Sequence, residues 1–184
     1  MRSRVEMSRS RRLALTGLFA AAAFALSYLE RLIPTGVFGA LPGVRLGLGN
    51  IAVLLAFSLL GRAEGAAVAA AKVILSALLF GSPAAALFSF FGTLLSFAAL
   101  VICSLLPKES VSYIGASSAS AAAHATGQII AAALLTGSFS VLYYYPALTL
   151  FSLAAGILSG ALINAVMCRV KTETVRKREG EETQ

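Results

Sequence analysis

Apolar residues run through this chain in six long stretches, approximately residues 12–30, 46–61, 65–81, 83–106, 111–136 and 143–168. Breaks that are polar, or rich in glycine and proline, separate them. A helix that crosses a bilayer needs about 20 mostly apolar residues to match a hydrocarbon core of roughly 30 Å, so the pattern predicts about six transmembrane helices. The second and third runs are short and span only with little tilt or with help from flanking residues. No run shows the two-residue alternation of a strand, and Ala- and Leu-rich stretches of this length favour helices over a barrel. The expected fold is therefore an all-α integral membrane protein. It divides into a basic N-terminal segment (1–11), a six-helix membrane domain (12–168) and a polar tail (169–184), the tail disordered or helical only near the membrane.

Composition supports this reading, with 58% hydrophobic and 12% charged residues. The net charge of +7 does not point to nucleic acid, because the cations gather at the two ends. Arg2, Arg4, Arg9, Arg11 and Arg12 precede the first run, and Arg169, Lys171, Arg176, Lys177 and Arg178 follow the last. With an even number of helices, the positive-inside rule places both clusters, and both termini, in the cytoplasm. The first run also has features of a secretory signal. Its apolar stretch from Leu13 to Leu29 exceeds the ~7–15 residues of such a core, and the segment is expected to stay in the protein. Cys103 and Cys168 fall at the cytoplasmic ends of helices and read as packing residues.

Three features bear on chemistry. First, the chain has no aspartate, and all eight carboxylates are glutamates at helix ends, turns or tails. That argues against an autonomous Mg²⁺-dependent enzyme; no catalytic residue, metal site or cofactor is predicted. Second, small residues recur every four positions as Gly17, Ala21 and Ala25 in the first run and as Ser152, Gly156 and Gly160 in the sixth. Such ladders let membrane helices approach closely, within the bundle or against a partner. Third, Lys72 sits midway along the third run, where a charge costs about 2.5–3.5 kcal/mol on insertion scales. No carboxylate is expected at its depth. His124 and Gln128 share a face of the fifth helix at spacing i, i+4, and Asn50 and Asn164 add polar groups on the second and sixth. Together they are expected to line one cavity, capped by the Pro- and Gly-rich segment from Glu30 to Arg45.

The run LPGVRLGLGN (41–50) carries a resemblance. It resembles the LPG-x-[KR]-LGLAN pattern of the bacterial membrane proteins named heptaprenyl diphosphate synthase component I, also called the Gx transporter family, with Gly49 in place of the usual alanine. KVILSALLFG (72–81), LFSFFGTLLS (87–96), VSYIGA (111–116) and HATGQ (124–128) support it, while Lys72 and Ala125 stand where the family usually has Arg and Asn.

The two family names imply different roles. One implies a transporter resembling the S components of energy-coupling-factor systems: it would bind a small anionic or polar solute and dock, through Gly17, Ala21 and Ala25, a coupling membrane subunit with its ATPases. The other implies a membrane-bound accessory subunit in menaquinone side-chain (isoprenoid) synthesis, whose polyprenyl synthase partner supplies the aspartate-rich metal site. Under the first, Arg45 at the outer mouth and Lys72 deeper in are expected to bind an anionic group of the solute, with Asn50, His124, Gln128 and Asn164 around it. The expected location is the bacterial cytoplasmic membrane.

Overall fold

The computed structural model describes residues 8–32, 47–80, 83–107 and 111–182. Six α-helices follow one another as α1 (Arg9–Leu32), α2 (Gly49–Leu59), α3 (Arg62–Phe80), α4 (Pro83–Leu105), α5 (Tyr113–Thr136) and α6 (Tyr145–Glu182), with a 3-10 helix (Phe139–Tyr144) before α6. The fold is all-helical, as the apolar runs predict. Among the described residues, four segments, Arg9–Glu30, Pro83–Leu105, Tyr113–Thr136 and Phe139–Arg169, are long and apolar enough to cross a membrane.

The surface is inverted relative to that of a water-soluble bundle. Leu78, Leu158 and Phe139 are 75%, 73% and 83% exposed, whereas Glu30, Lys72, His124 and Gln128 are buried. Exposed apolar area on this scale belongs against lipid.

Two details depart from expectation. With 11 residues, α2 rises only about 16 Å, half of a bilayer core. Its start is set by Gly47, whose φ of 83° no β-branched residue adopts comfortably. Its end is set by Gly61 (φ 126°), whose N–H bonds back to the Ala56 carbonyl at 3.2 Å and turns the chain directly into α3. At the other end of the chain, α6 continues to Glu182, so the tail expected to be disordered or helical only near the membrane is helical to that residue. Its Lys, Arg and Glu residues are good helix formers that extend a helix already nucleated in the membrane.

The first three helices pack on one another through Ala23, Ala52, Val53, Ala56, Val68 and Ala69. A second cluster, Leu54, Phe57, Leu100, Ala116, Ile163 and Met167, ties α2 to α4, α5 and α6. At the end of the bundle where α1 begins, the Arg12 guanidinium pairs with Glu64 at 2.9 Å and donates to the Leu60 carbonyl at 2.9 Å, fixing α1 to the α2–α3 turn.

The two small-residue ladders have opposite fates. Ser152, Gly156 and Gly160 are buried against α5, where a methyl group on Gly160 would lie 2.6 Å from Cα of Ile114. Gly17, Ala21 and Ala25 face outward, and a methyl group on Gly17 would touch nothing within 4 Å. Of the two cysteines, Cys103 packs beside the second cluster, but Cys168 is exposed on α6 and is not a packing residue.

Candidate functional site

The α2 and α3 helices leave the same turn, so Asn50 and Lys72, each about ten residues from it, rise together by roughly 15 Å to mid-depth. There Lys72 Nζ donates to Asn50 Oδ1 at 2.6 Å and to Thr93 Oγ1 of α4 at 3.5 Å. Asn50 Nδ2 lies 2.9 Å from His124 Nδ1 and donates to Ser96 Oγ at 3.4 Å. The Gln128 amide lies 2.8 Å from His124 Nε2, and the Ser96 and Ser120 hydroxyls share a bond of 2.7 Å.

This chain of contacts fixes a polarity. An ammonium group only donates, so Lys72 holds the Asn50 oxygen and turns the Asn50 nitrogen toward His124. Nδ1 of His124 must then accept, which leaves a neutral imidazole with its proton on Nε2. Gln128 Nε2 is the atom that faces His124 Nε2, so this tautomer requires the isosteric amide to be turned over, which brings its oxygen there as the acceptor.

Four of the predicted site residues, Asn50, Lys72, His124 and Gln128, therefore meet in one network. Arg45 lies outside the described residues. Asn164 does not join them, because it is exposed on α6. Steps of four residues overshoot a 3.6-residue turn. By Asn164 the ladder has rotated about 120° from Ser152, while Ile163 lies within about 20° of it and takes the buried position.

The expectation that Lys72 has no carboxylate at its depth does not hold. Glu30, only 7% exposed, lines the same small cavity as Lys72, together with Ser27, Ser89, His124 and Gln128. Its carboxylate accepts the N–H groups of Gly47 at 2.5 Å and Leu48 at 3.2 Å. It thereby satisfies donors that the start of α2 leaves unpaired. The place of Glu30 at the close of an apolar run suggests the outer loop and a pairing with Arg45 there, and nothing in the spacing points to backbone partners 17 and 18 positions away.

The hydroxyls did leave a signal. Ser89, Thr93 and Ser96 on α4, and Ser117, Ser120 and His124 on α5, recur at spacings of three and four along buried faces. A second cleft lies on the other side of His124, lined by Asn50, Ile51, Ser117, Ser120 and Ser159 among others. The two hollows measure about 10 and 20 Å³, on a scale where one water occupies roughly 10–15 Å³. Among the described residues, no group of three His, Cys, Asp or Glu side chains is placed to hold a metal ion.

These features define a multi-pass helical membrane protein with a hydrogen-bonded polar centre enclosed by its helices. The family model described as heptaprenyl diphosphate synthase component I matches residues 19–166, and the chain belongs to that family. Comparison with curated proteins and with solved structures returns no match.

Proposed function

We propose that this chain is a solute-binding and transport protein of the bacterial cytoplasmic membrane, both termini cytoplasmic, that takes a small polar solute into the network around Lys72. The observation that carries the reading is the hollow at mid-depth where Glu30, Lys72, Gln128 and Ser89 converge. Ionisable groups inside a membrane are costly, and they mark solute or ion pathways. With Glu30 beside it, Lys72 needs no anionic ligand for neutralisation, so a polar solute is favoured over a strictly anionic one.

Mass spectrometry of small molecules retained by the solubilised protein tests the proposal and supplies the ligand. Gln128→Leu removes one neutral hydrogen-bonding group from the hollow. It should then weaken that ligand five- to tenfold, about 1–1.4 kcal/mol, in calorimetry. Equal affinity of the two proteins would remove the site from this hollow.

The family description favours a second reading, an accessory subunit of heptaprenyl diphosphate synthase. A chain without aspartate would there depend on a catalytic partner for its metal-binding carboxylates. Both readings use a partner, and the outward ladder of Gly17, Ala21 and Ala25 is the proposed docking face. Ala21→Leu with Ala25→Leu should abolish co-purification of that partner while leaving the melting temperature of the chain unchanged. The identity of the lost protein separates the readings: a coupling membrane subunit with ATPases supports transport, and a polyprenyl synthase supports the second. Full recovery of either partner would show that the ladder only faces lipid.

A further inference from the structure

The geometry points to a second solute site in series with the first, in the cleft between α2, α5 and α6, with the His124 side chain as the partition between them. This inference rests on the reading that the polar centre takes a solute.

The two hollows share His124 and Gly47 and are stacked along the bundle axis. On α5, Gln128 faces the first hollow, one turn beyond His124, and Ser120 and Ser117 face the cleft, one and two turns before it. The cleft runs along Ile51 and Leu54 of α2 toward the end of the bundle where Arg12 meets Glu64. On α4, which runs the opposite way to α5, Ser89 lies toward the other end.

Each hollow is lined by a buried serine. Ser117 is 3% exposed and lines the cleft, and Ser89 is 5% exposed and lines the first hollow. A hydroxyl both donates and accepts, so one that lines a void can bond a polar group that enters it.

The two sites differ in chemistry. Glu30 and Lys72 line the first, whereas the described residues of the cleft offer hydroxyls, the Asn50 amide and the neutral His124 ring beside apolar walls. The cleft therefore suits an uncharged polar group, such as a hydroxyl, an amide or water.

His124 is seated with little tolerance. A methyl group on Gly92 would stand 2.5 Å from its Cε1, and one on Gly47 would stand 3.0 Å from its Cδ2. Two glycines thus make the space the ring fills, and rotation of that ring joins the hollows.

Thiol accessibility in membrane vesicles tests the arrangement without knowledge of the ligand. In full-length protein carrying Cys103→Ala and Cys168→Ala, a single thiol is introduced as Ser89→Cys or Ser117→Cys. Silver ion is added to one side of the membrane, and the thiols left unreacted are counted with maleimide after denaturation. The expected result is that Ser117→Cys reacts only from the side of the Arg12 end and Ser89→Cys only from the other. His124→Ala should then raise the far-side rate of both at least tenfold, while His124→Gln, which keeps bulk and hydrogen bonding, should preserve the sided pattern. Reaction of both thiols from one side only, unaffected by His124→Ala, would show a single blind pocket and overturn the proposal. So would complete protection of Ser117→Cys in folded protein of every background. If that protection coincides with weaker ligand binding in Gln128→Leu, the first site stands and the series does not.

Discussion

Glu30→Ala is expected to lower the stability of the folded bundle by about 3–5 kcal/mol, a change of this size being typical when one member of a buried charged constellation is removed. The carboxylate is the acceptor for two backbone N–H groups, those of Gly47 and Leu48, and hydrogen bonds to charged groups contribute about 1.5–3 kcal/mol each. Alanine leaves both donors without that acceptor, and it takes the carboxylate away from the cavity that also holds the Lys72 ammonium. At 7% exposure, solvent offers little screening. Glu30→Gln keeps one oxygen acceptor and should lose about half as much. Unfolding in mixed micelles measures both, and a Glu30→Ala protein within about 1 kcal/mol of the parent would mean that the carboxylate is dispensable to the start of α2.

Gly127→Val should cost about 3 kcal/mol, at the upper end of overpacking penalties. A side chain at Gly127 would run into the Phe91 carbonyl and lie 2.8 Å from Cα of Gly92. These obstacles are backbone, so no rotamer change relieves them and α4 and α5 must move apart. Separation strains the 2.7 Å bond between Ser96 and Ser120 and loosens the seat of His124 against Gly92. Gly17→Val is the control: it meets open space and should change stability by no more than about 0.5 kcal/mol. Equal stability of Gly127→Val and Gly17→Val in the same micelle assay would contradict the close approach of α4 and α5.

Helix number and most helix limits are readable in the sequence because lipid imposes a simple rule: a spanning segment stays apolar for its whole length. That rule is blind to α2. Apolar residues continue through 46–61, yet the helix begins only at Gly49. What stops it is a backbone torsion at Gly47, and several glycines in LPGVRLGLGN are equally able to adopt it.

The candidate site divides along the same line. Lys72, Asn50, His124 and Gln128 are conspicuous as polar residues in apolar runs, and they converge. Glu30 is hidden at the end of a run, bonded to backbone donors that no spacing rule reveals. Asn164 is equally conspicuous and still points outward, because polarity alone does not report the phase of a helix.

The half-length of α2 also has a consequence for how the chain enters the membrane during synthesis. Eleven residues are too few to be threaded across as an independent unit, and α3, with Lys72 at its centre, is a poor candidate alone. Joined through the tight turn at Gly61, the two are suited to enter as one hairpin. By then α1 has already delivered Glu30, which receives the N–H groups of Gly47 and Leu48; Asn50 then emerges before Lys72, and Thr93, Ser96, Ser120, His124 and Gln128 follow in chain order. Because domains mature from the N-terminus during translation, Lys72 and each of these later polar groups would emerge after at least one of its hydrogen-bonding partners, so that none need wait alone in lipid.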